Sequence, residues 1–347
     1  MKKVYDLAVF IGRFQAFHNG QFEVIKKALQ IADNVAIIIG SANTPRTVRN
    51  PFTYQERMKV ILDSFPNDAE RIHFSPVEDT IYNDEVWVKN IQSIVNDMLI
   101  EIYGPNCWLI QPALNIALIG HSKDQSSFYL KLFPQWNSVE VPNHKKINSS
   151  DIRDFYFKTG GFYLDIIPEA SEKFLEQFYD TPHYGAIKQE FLFVQNYKNS
   201  WAAAPFPPVF VTTDAVVVQS GHILLIERGH LPGKGLWALP GGFLDQDEKI
   251  VDGIIRELRE ETKIKVPAPV LKGNIVKIEV FDDPNRSSRG RTITHAALIH
   301  LPPQTELPKV KGSDDAAKAR WFPIAAVTRD MMFEDHKDII DYMIAQL

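Results

Sequence analysis

Val4-Tyr5-Asp6-Leu7-Ala8-Val9-Phe10-Ile11-Gly12-Arg13-Phe14-Gln15-Ala16-Phe17-His18-Asn19-Gly20-Gln21 sets the architecture of the first half of the chain. Its apolar run stops at Gly12, as a buried strand feeding a loop does. Directly after it, Gln21–Ala32 places Phe22, Ile25, Leu29 and Ala32 on one helical face. The alternation continues. Val35–Ile39 reads as a strand, Tyr54–Phe65 as a helix with Met58, Ile61 and Leu62 inward, Trp87–Ile102 as a helix and Asn115–Ile119 as a strand. Strand, helix and strand joined by short loops imply parallel βαβ units, hence an α/β fold with a doubly wound parallel sheet. In such a sheet the loop from Gly12 to Gln21 lies where a nucleotide phosphate meets a helix N-terminus.

From Pro168 the pattern changes. Glu169–Tyr179 and Tyr184–Trp201 read as helices, and Ala204-Pro205-Phe206-Pro207-Pro208 forms a stiff connector. Beyond it, Val209–Gln219 and His222–Glu227 form a hairpin about Ser220-Gly221. A helix at Ile250–Glu261, strands at Ile275–Phe281 and Thr292–Leu301, and a helix at Asp335–Leu347 complete an α+β second part. The reading therefore divides the chain into 1–183, a helical and Pro-rich linker 184–207, and 208–347.

Composition narrows the setting. The 347 residues are 45% apolar and 23% charged, which is globular and not disordered. The longest apolar runs, Leu7–Ile11 and Val35–Ile39, have five residues each. A membrane span takes roughly 20. No secretory leader is expected, and the single Cys107 suits a reducing cytoplasm. A net charge of −5 speaks against a general nucleic-acid binder. Anionic ligands must then be held by local cations and amides.

The second part carries the sharper chemical signal. Pro240-Gly241-Gly242-Phe243-Leu244-Asp245-Gln246-Asp247-Glu248, seven residues, then Arg256-Glu257-Leu258-Arg259-Glu260-Glu261 resembles the Nudix box. Glu257, Glu260 and Glu261 stand at i, i+3 and i+4, on one helix face. Carboxylates that close repel unless a divalent cation neutralises them, and hard oxygens select Mg²⁺ or Mn²⁺. Gly241 and Gly242 let backbone approach metal or phosphate. Ile254 and Leu258 anchor the helix to the core, and Glu248 with Arg256 ties loop to helix by an ion pair. A solvated acidic helix face is the bland alternative. Lys263 stands where the family has Gly; a left-handed backbone there costs Lys on the order of 1 kcal/mol. The resemblance implies hydrolysis of a nucleoside diphosphate linked to another group, by metal-activated water. Arg286-Ser287-Ser288-Arg289-Gly290-Arg291-Thr292-Ile293-Thr294-His295 is similar to a stretch of ADP-ribose-cleaving members, which turns Arg289 and Arg291 to the substrate phosphates; a basic surface hairpin is the alternative. Asp282-Asp283 and Asp314-Asp315 are further acidic pairs that can add a ligand or base.

The first part resembles the nucleotidyltransferase superfamily, with its Rossmann-like fold, and in particular nicotinamide mononucleotide (NMN) adenylyltransferases. Gly12-Arg13-Phe14-Gln15-Ala16-Phe17-His18-Asn19-Gly20-Gln21 matches their G-x-F-x-P-x-H-x-G-H motif except that Ala16 replaces proline and Gln21 the second histidine. Supporting matches are Asn50–Arg57 capping a helix, Gly120-His121-Ser122-Lys123-Asp124 after a strand, and Ile147–Arg153, which offers Ser150 and Arg153 to a triphosphate. The resemblance implies attack of NMN phosphate on ATP, giving NAD and pyrophosphate, with His18 as the catalytic residue and Gly12, Arg13, Phe14, Gln21, Arg57, Trp87, Lys123, Ser150 and Arg153 binding nucleotide. Gln21 can donate a neutral hydrogen bond but never an imidazolium's charge, and Ala16 leaves the turn looser than proline does. Adenylyl transfer is accordingly retained, weakened or absent. Trp87 reads equally as a nicotinamide stack or as core. Trp136, Phe128 and Tyr129 read as packing or interface, His121 as a loop histidine or one that supports the site from behind, and Cys107 as too isolated for metal or nucleophile chemistry.

Both halves in this order resemble the bifunctional NMN adenylyltransferase/Nudix hydrolase family over nearly the whole chain. The resemblance implies ligands ATP, NMN or NAD, and ADP-ribose, with no nucleic acid or membrane partner and a homo-oligomer as one possibility. Two other readings stand beside it. One is a Nudix hydrolase of another nucleoside diphosphate derivative whose N-terminal part only binds nucleotide or oligomerises. The other is a Nudix-like regulator that binds ADP-ribose without cleaving it.

Overall fold

The computed structural model describes residues 3–107, 114–121, 130–142, 147–313 and 316–347, with Leu164 by its backbone alone. The chain forms two compact units, Met1–Lys188 and Gln189–Leu347.

In the first unit β1 (Tyr5–Gly12), α1 (Asn19–Ile31), β2 (Ala32–Ile39), α2 (Tyr54–Ser64), β3 (Ile72–Pro76), α3 (Asp84–Tyr103), β4 (Ile116–Gly120) and β5 (Asn137–Glu140) follow one another. Their strands form a five-stranded sheet of order β3-β2-β1-β4-β5 in which every pair is parallel. Ala8, Phe10, Ile37 and Ile39 pack with Val24, Ile25, Val60 and Ile61 on one face. Leu7, Val9, Ile11 and Ile38 pack with Ile91, Val95 and Leu99 on the other. Burial on both faces is why these strands read as unbroken apolar runs. The two edge strands, Ile72-His73-Phe74-Ser75-Pro76 and Asn137-Ser138-Val139-Glu140, lack that run. They were invisible to periodicity because an edge strand is half solvated. Helices α4 (Ser149–Thr159), α5 (Glu169–Tyr179) and α6 (Pro182–Ser200) come next. The segment read from sequence only as a phosphate binder is thus the start of α4, with Asn148 as its cap.

The second unit contains β6 (Phe210–Gln219), β7 (His222–Arg228), β8 (Trp237–Ala238), β9 (Gly241–Phe243), α7 (Ile250–Thr262), α8 (Ala268–Gly273), β10 (Ile275–Phe281), β11 (Thr292–His300), β12 (Ala316–Pro323) and α9 (His336–Ile344). The sheet runs β10-β11-β6-β7-β12, with β8 on β7 and β9 on β6. It is mixed: β6 and β11 are parallel and the other pairs antiparallel. Ile254, Ile255 and Leu258 of α7 enter a core with Ala215, Val217, Leu224, Ala297 and Ile299. No helix among the described residues is long and apolar enough to cross a membrane.

Candidate functional site

In the first unit the chain leaves β1 towards β2 on one side and returns through β4 on the other, so a crevice opens at their C-terminal ends. The loop from Gly12 to His18 lines it and is pinned by side chains from distant elements. The Gln15 amide donates to Phe52 O at 2.8 Å and accepts from Phe52 N at 2.9 Å. Arg153 donates to Gln15 O, Ser149 Oγ to Ala16 O at 3.1 Å and Ser171 Oγ to Phe17 O at 2.9 Å. The looseness expected at Ala16 thus meets a turn whose carbonyls are held from α4 and α5. Phe14 takes a left-handed φ of 52° with its ring buried 5.2 Å from Phe10, and a side chain at Gly12 would meet that ring at 3.1 Å.

His18 is the N-cap of α1. Its Nδ1 accepts from Gln21 N at 3.4 Å while Gln21 Oε1 accepts from His18 N at 3.3 Å. This reciprocal capping box uses the carbonyl end of Gln21 on the helix itself. Only its NH₂ is left for a ligand. His121 ties β4 and β5 to the same helix start, its ring nitrogens lying 2.7 Å from Val141 O and 3.1 Å from Gly20 O.

Arg153 is buried, bonds Ser150 Oγ at 3.1 Å, and its pKa is pushed down to about 10 by burial and then by the charges of Arg13 and Arg49. Three guanidiniums so placed attract polyanions. Arg13 itself is exposed. Arg57, read from sequence as a nucleotide ligand, clamps backbone in this structure. It donates to Thr53 O at 3.1 Å, Arg13 O at 2.6 Å, Gly40 O at 2.7 Å and Ser41 O at 3.2 Å. Trp87 is half-buried, 6.0 Å from the Phe133 ring. Lys123 and Asp124, Phe128 and Tyr129, and Asp314 and Asp315 lie outside the described residues.

In the second unit α7 carries the three carboxylates against the β9 glycines. A Cβ on Gly242 would come within 2.5 Å of Glu257 Oε1, and one on Gly241 within 2.6 Å of Asp214 Oδ1. Glycine is required here by crowding from protein as much as by any ligand. Arg256 is the hub. It grips Glu248 through Nε at 3.0 Å and Nη2 at 2.6 Å, and reaches Glu257 at 2.8 Å and Glu260 at 3.0 Å. Glu261 is buried and accepts from Gly241 N at 2.9 Å. Burial lifts its pKa to about 8, the Gly241 hydrogen bond opposing and the nearby Glu257 charge adding to the rise. Burial raises Glu257 as well, against the pull of Arg256. With Glu257 and Glu260 turned onto Arg256, no three His, Cys, Asp or Glu side chains among the described residues already form a ligating array.

Three residues of this site escaped the sequence reading. Asp214 is buried mid-strand, accepts from Thr294 Oγ1 at 2.5 Å, and is pushed up by burial against the charges of Arg286, Arg289 and Arg228. Its one signal was a carboxylate inside a β-branched strand, after Thr212-Thr213 and before Ala215-Val216-Val217-Val218. Arg228 sits with its guanidinium 4.0 Å over the Phe333 ring. His336 Nδ1 accepts from Leu239 N at 3.0 Å, bracing the strand that leads into the glycines. The basic segment 286–291 divides among three tasks. Arg286 is buried on Asp335, Arg291 turns to Asp282, and Arg289 lies 5.1 Å over Phe243 beside the Asp214 and Arg228 charges.

Residues 209–343 match the NUDIX domain family and residues 9–155 the cytidylyltransferase-like family. A nicotinamide/nicotinic acid mononucleotide adenylyltransferase of Acinetobacter baylyi is 38% identical over 189 residues, covering 54% of this chain and 94% of that protein. An ADP-ribose pyrophosphatase of Methanocaldococcus jannaschii is 32% identical over 133 residues, covering 38% of this chain and 72% of that protein. A solved structure spans both units: the bifunctional NMN adenylyltransferase/ADP-ribose pyrophosphatase of Francisella tularensis, complexed with AMP and Mn ion. It is 35% identical, with a TM-score of 0.89 and 99% of each chain covered.

Proposed function

The chain belongs to the bifunctional NMN adenylyltransferase/ADP-ribose pyrophosphatase family, and from that premise we propose what each half does. Residues 208–347 hydrolyse ADP-ribose to AMP and ribose 5-phosphate. Residues 1–183 join NMN and the adenylyl group of ATP to give NAD and pyrophosphate, and 184–207 connect them. The observation that carries the hydrolase reading is the intact set Glu257, Glu260 and Glu261 on one face of α7, against Gly241 and Gly242.

The donor set fits a hard divalent cation, Mg²⁺ or Mn²⁺. Two of its three carboxyls are raised by burial, Glu261 also by the neighbouring Glu257 charge, which is the electrostatic situation a cation relieves. Glu257, Glu260 and Glu261 would hold it, and it would supply charge neutralisation of a diphosphate and a more acidic water. Arg256 fixes Glu248 and so the loop that faces the diphosphate. Arg289 and Arg228 supply positive charge beside Asp214 and Glu261. Gly241 N holds Glu261 in place.

In the first unit Arg13 and Arg153, with Lys123 and Ser150, bind the ATP phosphates, and Gly12 and Phe14 shape the turn that presents His18. Catalysis there is positioning and charge stabilisation, with no covalent nucleophile. A second reading, nucleotide binding without turnover, is favoured by one observation: Gln21 stands where the motif has a histidine, and its NH₂ donates without an imidazolium's charge. We place both reactions in the cytoplasm and assign no nucleic acid or membrane partner.

The test is direct. ADP-ribose with Mg²⁺ should yield AMP, and Glu257→Gln or Glu260→Gln should cut that yield at least a hundredfold while leaving NAD formation from NMN and ATP unchanged. Absence of AMP from the unmodified protein would sink the hydrolase half. Bound nucleotide with no NAD formed would establish the second reading for the other half.

A further inference from the structure

Four consecutive residues at the start of α9 each hold a different piece of the second unit's site. Phe333 lies under the Arg228 guanidinium at 4.0 Å, and a side chain on Gly233 would strike its ring. Glu334 Oε1 accepts from Ser288 N at 2.8 Å. Asp335 takes Arg286 with both oxygens, and His336 Nδ1 takes Leu239 N at 3.0 Å. Asp335 and His336 are buried, whereas Glu334 is half-buried and reaches the backbone next to Arg289. Its own backbone is left-handed, with φ 42°, where a side chain is strained. Such a conformation persists when its surroundings over-determine it. Here the residues on both sides are fixed, Phe333 by Arg228 and Asp335 by Arg286.

Two cations depend on this stretch. Arg289 follows Ser288 directly, and its guanidinium lies 5.1 Å over the ring of Phe243, the residue after Gly242. Arg228, besides lying on Phe333, donates Nε to Pro232 O at 2.9 Å. Burial lowers the Arg228 pKa, the Arg289 charge adding to the fall and the Glu334, Glu261 and Asp214 charges opposing it. Two guanidiniums held near each other repel until an anion joins them. A diphosphate suits them, because guanidinium forks match phosphate oxygens in pairs. Glu334 brings a counter-charge to Arg228 and, through Ser288 N, a fixed backbone to Arg289.

We propose that Glu334 is a positioning residue for the substrate diphosphate, acting through the Ser288 N–H to set Arg289 beside Arg228. This rests on ADP-ribose being the ligand of the second unit, and two measurements on the full chain keep the two ideas apart. One is steady-state hydrolysis with Mg²⁺; the other is ADP-ribose binding by calorimetry with Ca²⁺ in its place. Glu334→Ala should raise both KM and Kd about tenfold while kcat changes far less, the pattern of lost uniform binding. Glu334→Gln keeps an oxygen that accepts from Ser288 N and should recover most of that affinity. Arg289→Ala should weaken binding too, and Glu334→Ala/Arg289→Ala should be no weaker than Arg289→Ala, because one residue acts through the other. A merely destabilised fold gives neither the KM-against-kcat split nor this non-additivity. The proposal is overturned by a Glu334→Ala protein with unaltered KM and Kd. Losses that simply add in the double variant, or a Glu334→Gln protein as weak as Glu334→Ala, would overturn it as well. If the unmodified protein binds ADP-ribose but forms no AMP, the hydrolase reading falls and the Kd series alone decides the role of Glu334.

Discussion

Replacing Asp335 by Asn tests how the second unit is held together behind its site. Arg286 meets Asp335 with two parallel bonds, Nε to Oδ2 at 2.9 Å and Nη2 to Oδ1 at 3.0 Å, and the two side chains are 4% and 1% exposed. Asn preserves the shape but turns one acceptor into a donor and leaves the guanidinium charge uncompensated. Breaking a buried pair in this way costs about 3–5 kcal/mol. Asp214, which also feels the Arg286 charge, offers partial compensation, so the lower end is expected. For a unit of this size each kcal/mol moves the melting temperature by roughly 2–4 °C, which gives a fall on the order of 6–12 °C. Calorimetry of the full chain at neutral pH reads it. The double variant Arg286→Met/Asp335→Leu removes both charges together and should melt close to the unmodified protein. The reasoning is refuted if Asp335→Asn melts unchanged, or if the double variant is as unstable as the single.

Lys263 closes α7 in a left-handed conformation, φ 46° and ψ 31°, where a side chain is strained. Lys263→Gly should therefore stabilise the protein by up to about 1 kcal/mol with ADP-ribose hydrolysis unaltered, as thermal melting and a rate assay will show. His336 is pushed down from 6.5 to about 3 by burial, the Asp335 charge opposing, and stays neutral to accept the Leu239 N–H. Below pH 6.5 the unfolded chain takes up a proton that the folded one refuses, so stability is whole above 6.5 and is lost as pH falls towards 3. At pH 5 the loss from this group is about 2 kcal/mol, and the slope of denaturant stability against pH should lose one proton in His336→Gln. In the first unit, Gln21→His should raise the rate of NAD formation from NMN and ATP if a charged donor is limiting. No change from a measurable baseline would show that it is not.

Much of this architecture is written in local pattern. Leu7–Ile11 and Val35–Ile39 are buried on both faces, so their apolar runs announce a parallel sheet. The carboxylates of α7 sit on one face because helical pitch puts i, i+3 and i+4 together wherever the helix lies. Their spacing and that of Glu248 and Arg256 were legible from the chain alone, as was the Thr53–Glu56 capping box of α2. Hydrogen-bond assignments between distant residues are not local. That Arg57 clamps Arg13 O and Gly40 O, and that Arg286 is buried on Asp335, depends on which backbone and which acid the fold brings alongside. A guanidinium carries the same five donors wherever it stands. Sequence by itself determined two nucleotide-handling folds, a complete carboxylate set and an altered phosphate loop. Tertiary structure alone decided which cations remain for a ligand, that Gln21 caps a helix, and that Asp214, Arg228 and His336 surround the site. Periodicity records what is near in the chain, whereas burial and charge pairing are settled by what the fold makes near in space.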